Sequence, residues 1–306
     1  MNDQTENQGH VYRARVGAAD AGRTVLEFHV ARYKHSDEAA WRESIALERV
    51  RLNGRVAAVD EVVQAGDRLE FHRPPWEEPD APVSFDVAFE DDDVLVVVKP
   101  AGLQVLPAGP FKQRTLLEIV RASHPSRAAA APAHRLGRGT SGLIAFGKTL
   151  AGRAALSRQL RDLSMTKTYL AWVEGPRLPD SFAARQPIGK LAHGPLQIHA
   201  AAERGKEALT RVRVLRREPA ADGGAAAPER ALVAAQPITG RPDQIRIHLA
   251  AAGTPIVGDP LFGPGGTPKS RVPPGMGGYL LHAVSLSFAL PSGDMRVKVR
   301  SLPEWA

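Results

Sequence analysis

Asp243 and Arg246 stand three residues apart in the string ITGRPDQIRIHLA. On a helix that spacing puts a carboxylate and a guanidinium on one face. A helix is expected to begin near Thr239-Gly240, because Pro242 suits a first helical turn and Gly253 suits a stop. Asp243 would then lie in the first turn, where the helix dipole favours a negative charge. A carboxylate kept ionised beside a cation serves as a nucleophile or as a base, although aspartate at such a place is also a common helix cap. Other chemistry-bearing types offer less. The ten histidines include no HExxH or paired metal spacing, so no metal is expected. The absence of cysteine excludes a thiol nucleophile, thiolate metal sites and disulfides. Thr140-Ser141-Gly142 is not a GxSxG elbow, because Leu143 stands where its second glycine is required. The glycines at 263 to 266 lack the strand-to-helix setting of a phosphate loop.

These residues need a scaffold. A chain of 306 residues holds one large core and a smaller module. Its 43% hydrophobic and 24% charged residues exclude wholesale disorder. A net charge of +7 favours a polyanionic partner without requiring one. The polar start MNDQTENQGH has no apolar signal core, and no run approaches the roughly 18 apolar residues of a membrane helix. A soluble, cytoplasmic monomer is the expectation.

Residues 1–14 read as a disordered tail and 15–75 as a compact module. Within the module, Trp41, Ile45 and Leu47 have helical spacing, and Asn53-Gly54 marks a tight hairpin before the turn and strand of QAGDRLEFH. Four prolines in HRPPWEEPDAPVS point to a linker at 76–84, leaving 85–306 as the main domain. There, Val94 to Val98 reads as a buried strand ending in the turn Lys99-Pro100-Ala101-Gly102. KTYLAWVEG is strand-like, GKEALTRVRVLRR turns and then alternates, and REPAADGGAAAPER reads as a loop between strands.

Four segments in order, VLVVVKPAGLQV, AHRLGRGTSGLIAFGKT, KTYLAWVEG with GKEALT, and ITGRPDQIRIHLAAAGTPIVGDPLFG, resemble the RluA-type RNA pseudouridine synthases. LHAVSLSF resembles that family's closing strand, and residues 15–75 resemble the small RNA-binding module many members carry. The resemblance implies an α+β fold, with a mixed, mainly antiparallel central sheet, flanking helices and a cleft across its middle. It implies that uridine in ribosomal or transfer RNA is the substrate, flipped into a pocket. The base is detached from ribose at nitrogen, turned and rejoined through carbon five. No cofactor, membrane or obligate protein partner is implied. Carried over to this chain, Tyr169 packs against the target base, Arg246 pairs with the catalytic carboxylate and Arg135 helps displace the base. Lys99, Thr140 and Arg241 join the substrate-positioning set.

Two letters depart from the pattern. The family motif HRLD supplies the catalytic aspartate, and here its fourth position is Gly137. The family reads GRTHQIR or GRPHQIR, and here Asp243 stands at the histidine. One rearrangement accounts for both if Asp243 replaces the missing acid, with Gly137 and Asp243 lining one cleft. Asp259, or the run Asp91, Asp92 and Asp93, are the other candidate acids. Whether the acid attacks the sugar or takes its proton stays open. The alternative is an inactive RNA-binding protein or ribosome-assembly factor on the same scaffold.

Overall fold

A computed structural model describes residues 7–175, 178–193, 196–218, 229–266, 268–269, 278–293 and 295–306. The chain divides into two compact units, 1–78 and 79–306, and the division falls within the proline-rich stretch.

In the first unit, strands β1 (His10–Arg15), β2 (Val50–Leu52), β3 (Arg55–Val56) and β4 (Arg68–Arg73) form one sheet in the order β1-β4-β2-β3. Helices α1 (Val25–Arg32) and α2 (Glu38–Ala46) complete it. Thr24 and Glu27 form a reciprocal cap at α1, and Asp37 accepts from Ala40 N at α2, satisfying amides that have no helical partner. Asn53 and Gly54 both take positive φ (52° and 88°), the conformation a two-residue hairpin between β2 and β3 demands. Val25, Phe28, Trp41, Ile45, Val50 and Leu69 build the core.

Two expectations are corrected here. Residues 10–14 are a strand rather than a tail, paired with β4 from His10–Arg73 to Arg15–Arg68. The signal is weak because HVYRAR keeps no buried, alternating apolar face. Leu47 lies just past α2 and is 51% exposed, so it is not on the helix's buried face.

In the second unit the strands are β5 (Asp86–Glu90), β6 (Val94–Lys99), β7 (Ala131–Pro132), β8 (Ser141–Gly147), β9 (Thr166–Gly175), β10 (Ser181–Ala184), β11 (Ile188–His193), β12 (Leu196–Ala201), β13 (Thr210–Glu218), β14 (Glu229–Pro237), β15 (Leu281–Ala289) and β16 (Arg296–Arg300). Interleaved with them are helices α3 (Leu116–Ser123), α4 (Leu150–Arg161) and α5 (Gln244–Ala251). The main sheet runs β10-β13-β14-β9-β15-β8-β6-β5, with β16 beside β15, β7 beside β8, and β11–β12 a separate hairpin. Among the described residues β8–β15 is its one parallel pair and the rest is antiparallel, an α+β arrangement of the expected kind. Gly142 permits the β8–β15 approach, since a Cβ there would lie 2.5 Å from the backbone of Ala283. Ser141 and Gly142 thus open strand β8.

Val94 to Val97 are wholly buried in β6, as an apolar run between two covered faces should be. The strand-like segments at 167–175 and 210–217 lie in β9 and β13. The anticipated REPAADGGAAAPER loop falls largely on 219–228, outside the described residues. Among the described residues no helix is long and apolar enough to cross a membrane.

Candidate active site

A cleft of about 1190 Å³ opens in the second unit. Its walls come from the loop between β7 and β8, the start of β9, and the turn that leads from β14 into α5.

The turn into α5 differs from the sequence reading. The helix starts at Gln244, not near Thr239-Gly240, because Gln244 folds its own side chain back over the turn. Its Oε1 accepts from Thr239 Oγ1 at 2.7 Å and Arg241 N at 3.0 Å, while its Nε2 donates to Leu209 O at 2.9 Å. Asp243 is therefore the residue before the helix, with left-handed φ and ψ of 52° and 16°. Aspartate tolerates that region better than most residues, but at some conformational cost. Its carboxylate caps nothing. Instead Arg246 Nη1 donates to its Oδ1 at 2.7 Å, and Oδ2 accepts no hydrogen bond from a described residue.

Arg246 is 5% exposed and lies between two acids. Its Nε and Nη2 both donate to Asp259, each at 2.8 Å, in the forked geometry that suits a guanidinium. Asp259 is used up by this contact, since Oδ1 also accepts from Leu261 N and Phe262 N at 2.9 and 3.0 Å. Burial works against the charge of Arg246, yet the bond to Asp259 and the charge of Asp243 hold its pKa above the ordinary value. The Tyr279 and Phe262 rings lie against the guanidinium, at 4.3 and 4.9 Å from Cζ to centroid.

Opposite lies Gly137. Leu136, buried in the main core cluster, anchors this loop, and Arg135 beside it is exposed toward the cleft. A Cβ on Gly137 would sit 2.9 Å from Tyr279 Oη and 3.4 Å from Thr140 Oγ1. Those two hydroxyls are themselves 3.0 Å apart. Gly137 and Asp243 thus face one cavity, bridged by Tyr279 and Arg246.

Tyr169 lines the cleft from β9 and is 8% exposed. Alanines flank it on both neighbouring strands, Ala235 and Ala283, leaving width for the ring. Its hydroxyl makes no hydrogen bond with a described residue, and burial raises its pKa, keeping the phenol neutral. Thr140 is buried and reaches the cleft beside Tyr279. Arg241 also lines it, with Nε donating to Glu207 O at 3.0 Å.

Lys99 is the clear departure from the expected set. It is fully buried, and Nζ donates to the carbonyls of Pro100, Leu103 and Arg138 at 2.8, 2.7 and 3.1 Å. Burial, reinforced by the charge of Arg138, pulls its pKa down to about 7. It ties the turn after β6 to the loop that carries Gly137 and does not line the cleft. The acids at 91–93 are equally remote. Asp91 caps the turn between β5 and β6 through Asp93 N and Val94 N, Asp93 bonds Thr149, and Asp92 is exposed outside the cleft.

Lys167 and His134 were not singled out by the sequence. Burial lowers the pKa of both, and for His134 burial and the charge of Lys167 together bring it to about 3, so the imidazole is neutral. Six cations line the cleft, Arg135, Arg138, Arg161, Lys167, Arg241 and Arg246, against one described carboxylate, Asp243. Such a field concentrates a polyanion and supplies one acid to act on it.

A family model described as RNA pseudouridylate synthase matches residues 93–251. An uncharacterized RNA pseudouridine synthase of Synechocystis sp. is 39% identical over 267 residues, covering 86% of this chain and 88% of that one. RNA pseudouridine synthase 5 of Oryza sativa subsp. japonica is 35% identical, covering 96% of this chain and 86% of its own. Ribosomal large subunit pseudouridine synthase D of Pseudomonas aeruginosa is 32% identical, covering 84% of this chain and 81% of its own. Among solved structures, human RNA pseudouridylate synthase domain containing 1 shares the fold, with TM-score 0.57 and 24% identity over 75% of this chain and 87% of that one. The matched stretch, the extent of these relatives and the mixed sheet around one basic cleft make this chain a member of the RluA-type RNA pseudouridine synthases.

Proposed function

We propose that the protein isomerises uridine to pseudouridine in structured RNA, with Asp243 as the catalytic carboxylate. One observation carries the reading: Asp243 is the only carboxylate among the described residues lining the cleft, and its Oδ2 is uncommitted. The flipped uridine sits with its ribose at Asp243 and its base toward Tyr169, while Arg135, Lys167 and Arg241 meet the flanking phosphates. Asp243 acts on the ribose, either attacking C1′ or removing the C2′ proton. The bond from C1′ to N1 breaks, and its electron pair leaves on the base. The base turns and C5 bonds to C1′, displacing the carboxylate on the first route or with Asp243 returning the C2′ proton on the second, and the C5 proton is released to solvent as N1 gains one. The reaction is a net isomerisation and needs no oxidant or reductant. Arg246 donates to the carboxylate and balances its charge.

Relatives named for ribosomal and for transfer RNA make both substrate classes candidates, and the small N-terminal unit adds RNA affinity in this reading. The test is tritium release from [5-³H]uridine-labelled ribosomal and transfer RNA, with carbodiimide mapping of the product. Release that disappears in Asp243→Asn supports the proposal. Salt-dependent RNA binding without release on either substrate would favour a binding protein on this scaffold, the reading that Gly137 motivates.

A further inference from the structure

The first carbon of a side chain at 137 would press on the hydroxyl of Tyr279, whose ring also touches the arginine that supports Asp243. Tyr279 is 4% exposed, and its hydroxyl stands 2.9 Å from where a Cβ on Gly137 would be. That hydroxyl is fixed by Thr140 Oγ1 at 3.0 Å, and the ring packs on the Arg246 guanidinium at 4.3 Å. Arg246 in turn spends Nε and Nη2 on Asp259 and turns Nη1 to Asp243. The first carbon of a side chain at 137 would therefore crowd the Tyr279 hydroxyl and touch that of Thr140. It must push a buried ring, and the ring must push the guanidinium that holds the acid.

We propose that Tyr279 is the positioning residue that makes an acid at 243 workable: its hydroxyl fills the place of a side chain at 137, and its ring fixes Arg246 with one donor facing Asp243. The three positions form one set, in which Gly137 is required by Tyr279 and Tyr279 holds the partner of Asp243. Burial keeps the phenol protonated despite the nearby Arg246, so this filler brings no second negative charge toward Asp243. Returning an aspartate to 137 should not help the enzyme, because its Cβ comes within 2.9 Å of the tyrosine hydroxyl and must displace it. This inference rests on the Asp243 reading, and the experiment separates the two.

The test is a double-mutant cycle in the full chain, with kcat, KM for RNA and melting temperature measured for each protein. The backbone at Gly137 is not left-handed, so Gly137→Ala adds a methyl group without backbone strain. Gly137→Ala is expected to lower kcat roughly 10–100-fold with KM nearly unchanged, as displacement of a positioned group does. Tyr279→Phe removes the clashing oxygen and keeps the ring, at a cost of about threefold in kcat. Combining Gly137→Ala with Tyr279→Phe should bring kcat back to within about threefold of Tyr279→Phe alone. Tyr279→Leu, which removes the ring, should lose about as much as Gly137→Ala and gain nothing from its addition. Wild-type kcat in Gly137→Ala, or a loss that Tyr279→Phe does not relieve, would overturn the proposal. Asp243→Asn is run beside the cycle. Full activity in that variant defeats the Asp243 reading alone. The melting temperatures then still decide the coupling, since Gly137→Ala must lower them and Tyr279→Phe must cancel the loss.

Discussion

Two ion clusters in the second unit have opposite stoichiometry. At the end of β5, one acid serves two cations: Glu90 takes Arg127 at 2.5 Å and Lys148 at 2.9 Å. At the head of α5, one cation serves two acids: Arg246 takes Asp243 at 2.7 Å and Asp259 at 2.8 Å. Bonding to Arg127, opposed by partial burial and aided by Lys148, brings the pKa of Glu90 down to about 2, and both its oxygens are engaged. Asp259 is saturated in the same way, which leaves Asp243 as the acid in excess. A surplus of cations makes a fastening, whereas a surplus of acid leaves a lone pair facing the cleft.

The sharpest way to break this contrast is Asp243→Asn. It keeps the shape and removes the surplus charge, so kcat should fall on the order of 10³-fold or more while RNA affinity stays within a few-fold. Tritium release against filter binding reads the two separately, and intact turnover would make Asp243 another fastening. Asp259→Asn should come next, because it leaves a buried guanidinium short of its partner. A stability loss of about 3 kcal/mol in urea unfolding is expected, with activity reduced as Arg246 swings toward Asp243. Unchanged stability would mean that Asp259 is not what anchors Arg246.

Lys99→Met tests whether a family-matched lysine that does not line the cleft touches RNA. Three carbonyls lose their donor, so stability should fall by roughly 1–3 kcal/mol while KM for RNA holds. A raised KM at unchanged stability would return Lys99 to the substrate. The smallest effect belongs to Glu90→Gln, a loss of up to about 1 kcal/mol because the pair is partly solvated, with kcat untouched. The pH dependence has a definite sign. The folded pKa of Glu90 is depressed, so its contribution is complete above the ordinary carboxylate pKa of 4.5 and fades as pH falls toward about 2. Acid unfolding of Glu90→Gln should therefore lack that part of the stability loss.

How legible the site is depends on the separation of the residues that build it. Asp243 and Arg246 lie three apart, and their contact is readable from that spacing alone. Asp259 is 13 residues from Arg246, and in the sequence it stands only as a rival acid when it is the anchor. Tyr279 is 139 residues from Thr140, outside every segment that carries the resemblance, and no local pattern marks it. Lys99 sits in a matching motif, yet its type alone does not say whether its amine points to solvent or to three carbonyls. The start of α5 differs from expectation because Pro242 and the helix dipole are local cues, whereas Gln244 closes the turn using Leu209 and Thr210 from β13 and the residue before it.

The main strands and the presence of one acid beside one arginine followed from the order of residues, since periodicity and close spacing are properties of the chain, while the class of the sheet came from the family resemblance. The left-handed turn at Asp243, the saturation of Asp259 and the tyrosine above Gly137 were decided by packing. Each depends on which distant groups compete for the same donors and the same volume, and that competition exists only once the sheet has brought β8, β13, β15 and α5 together.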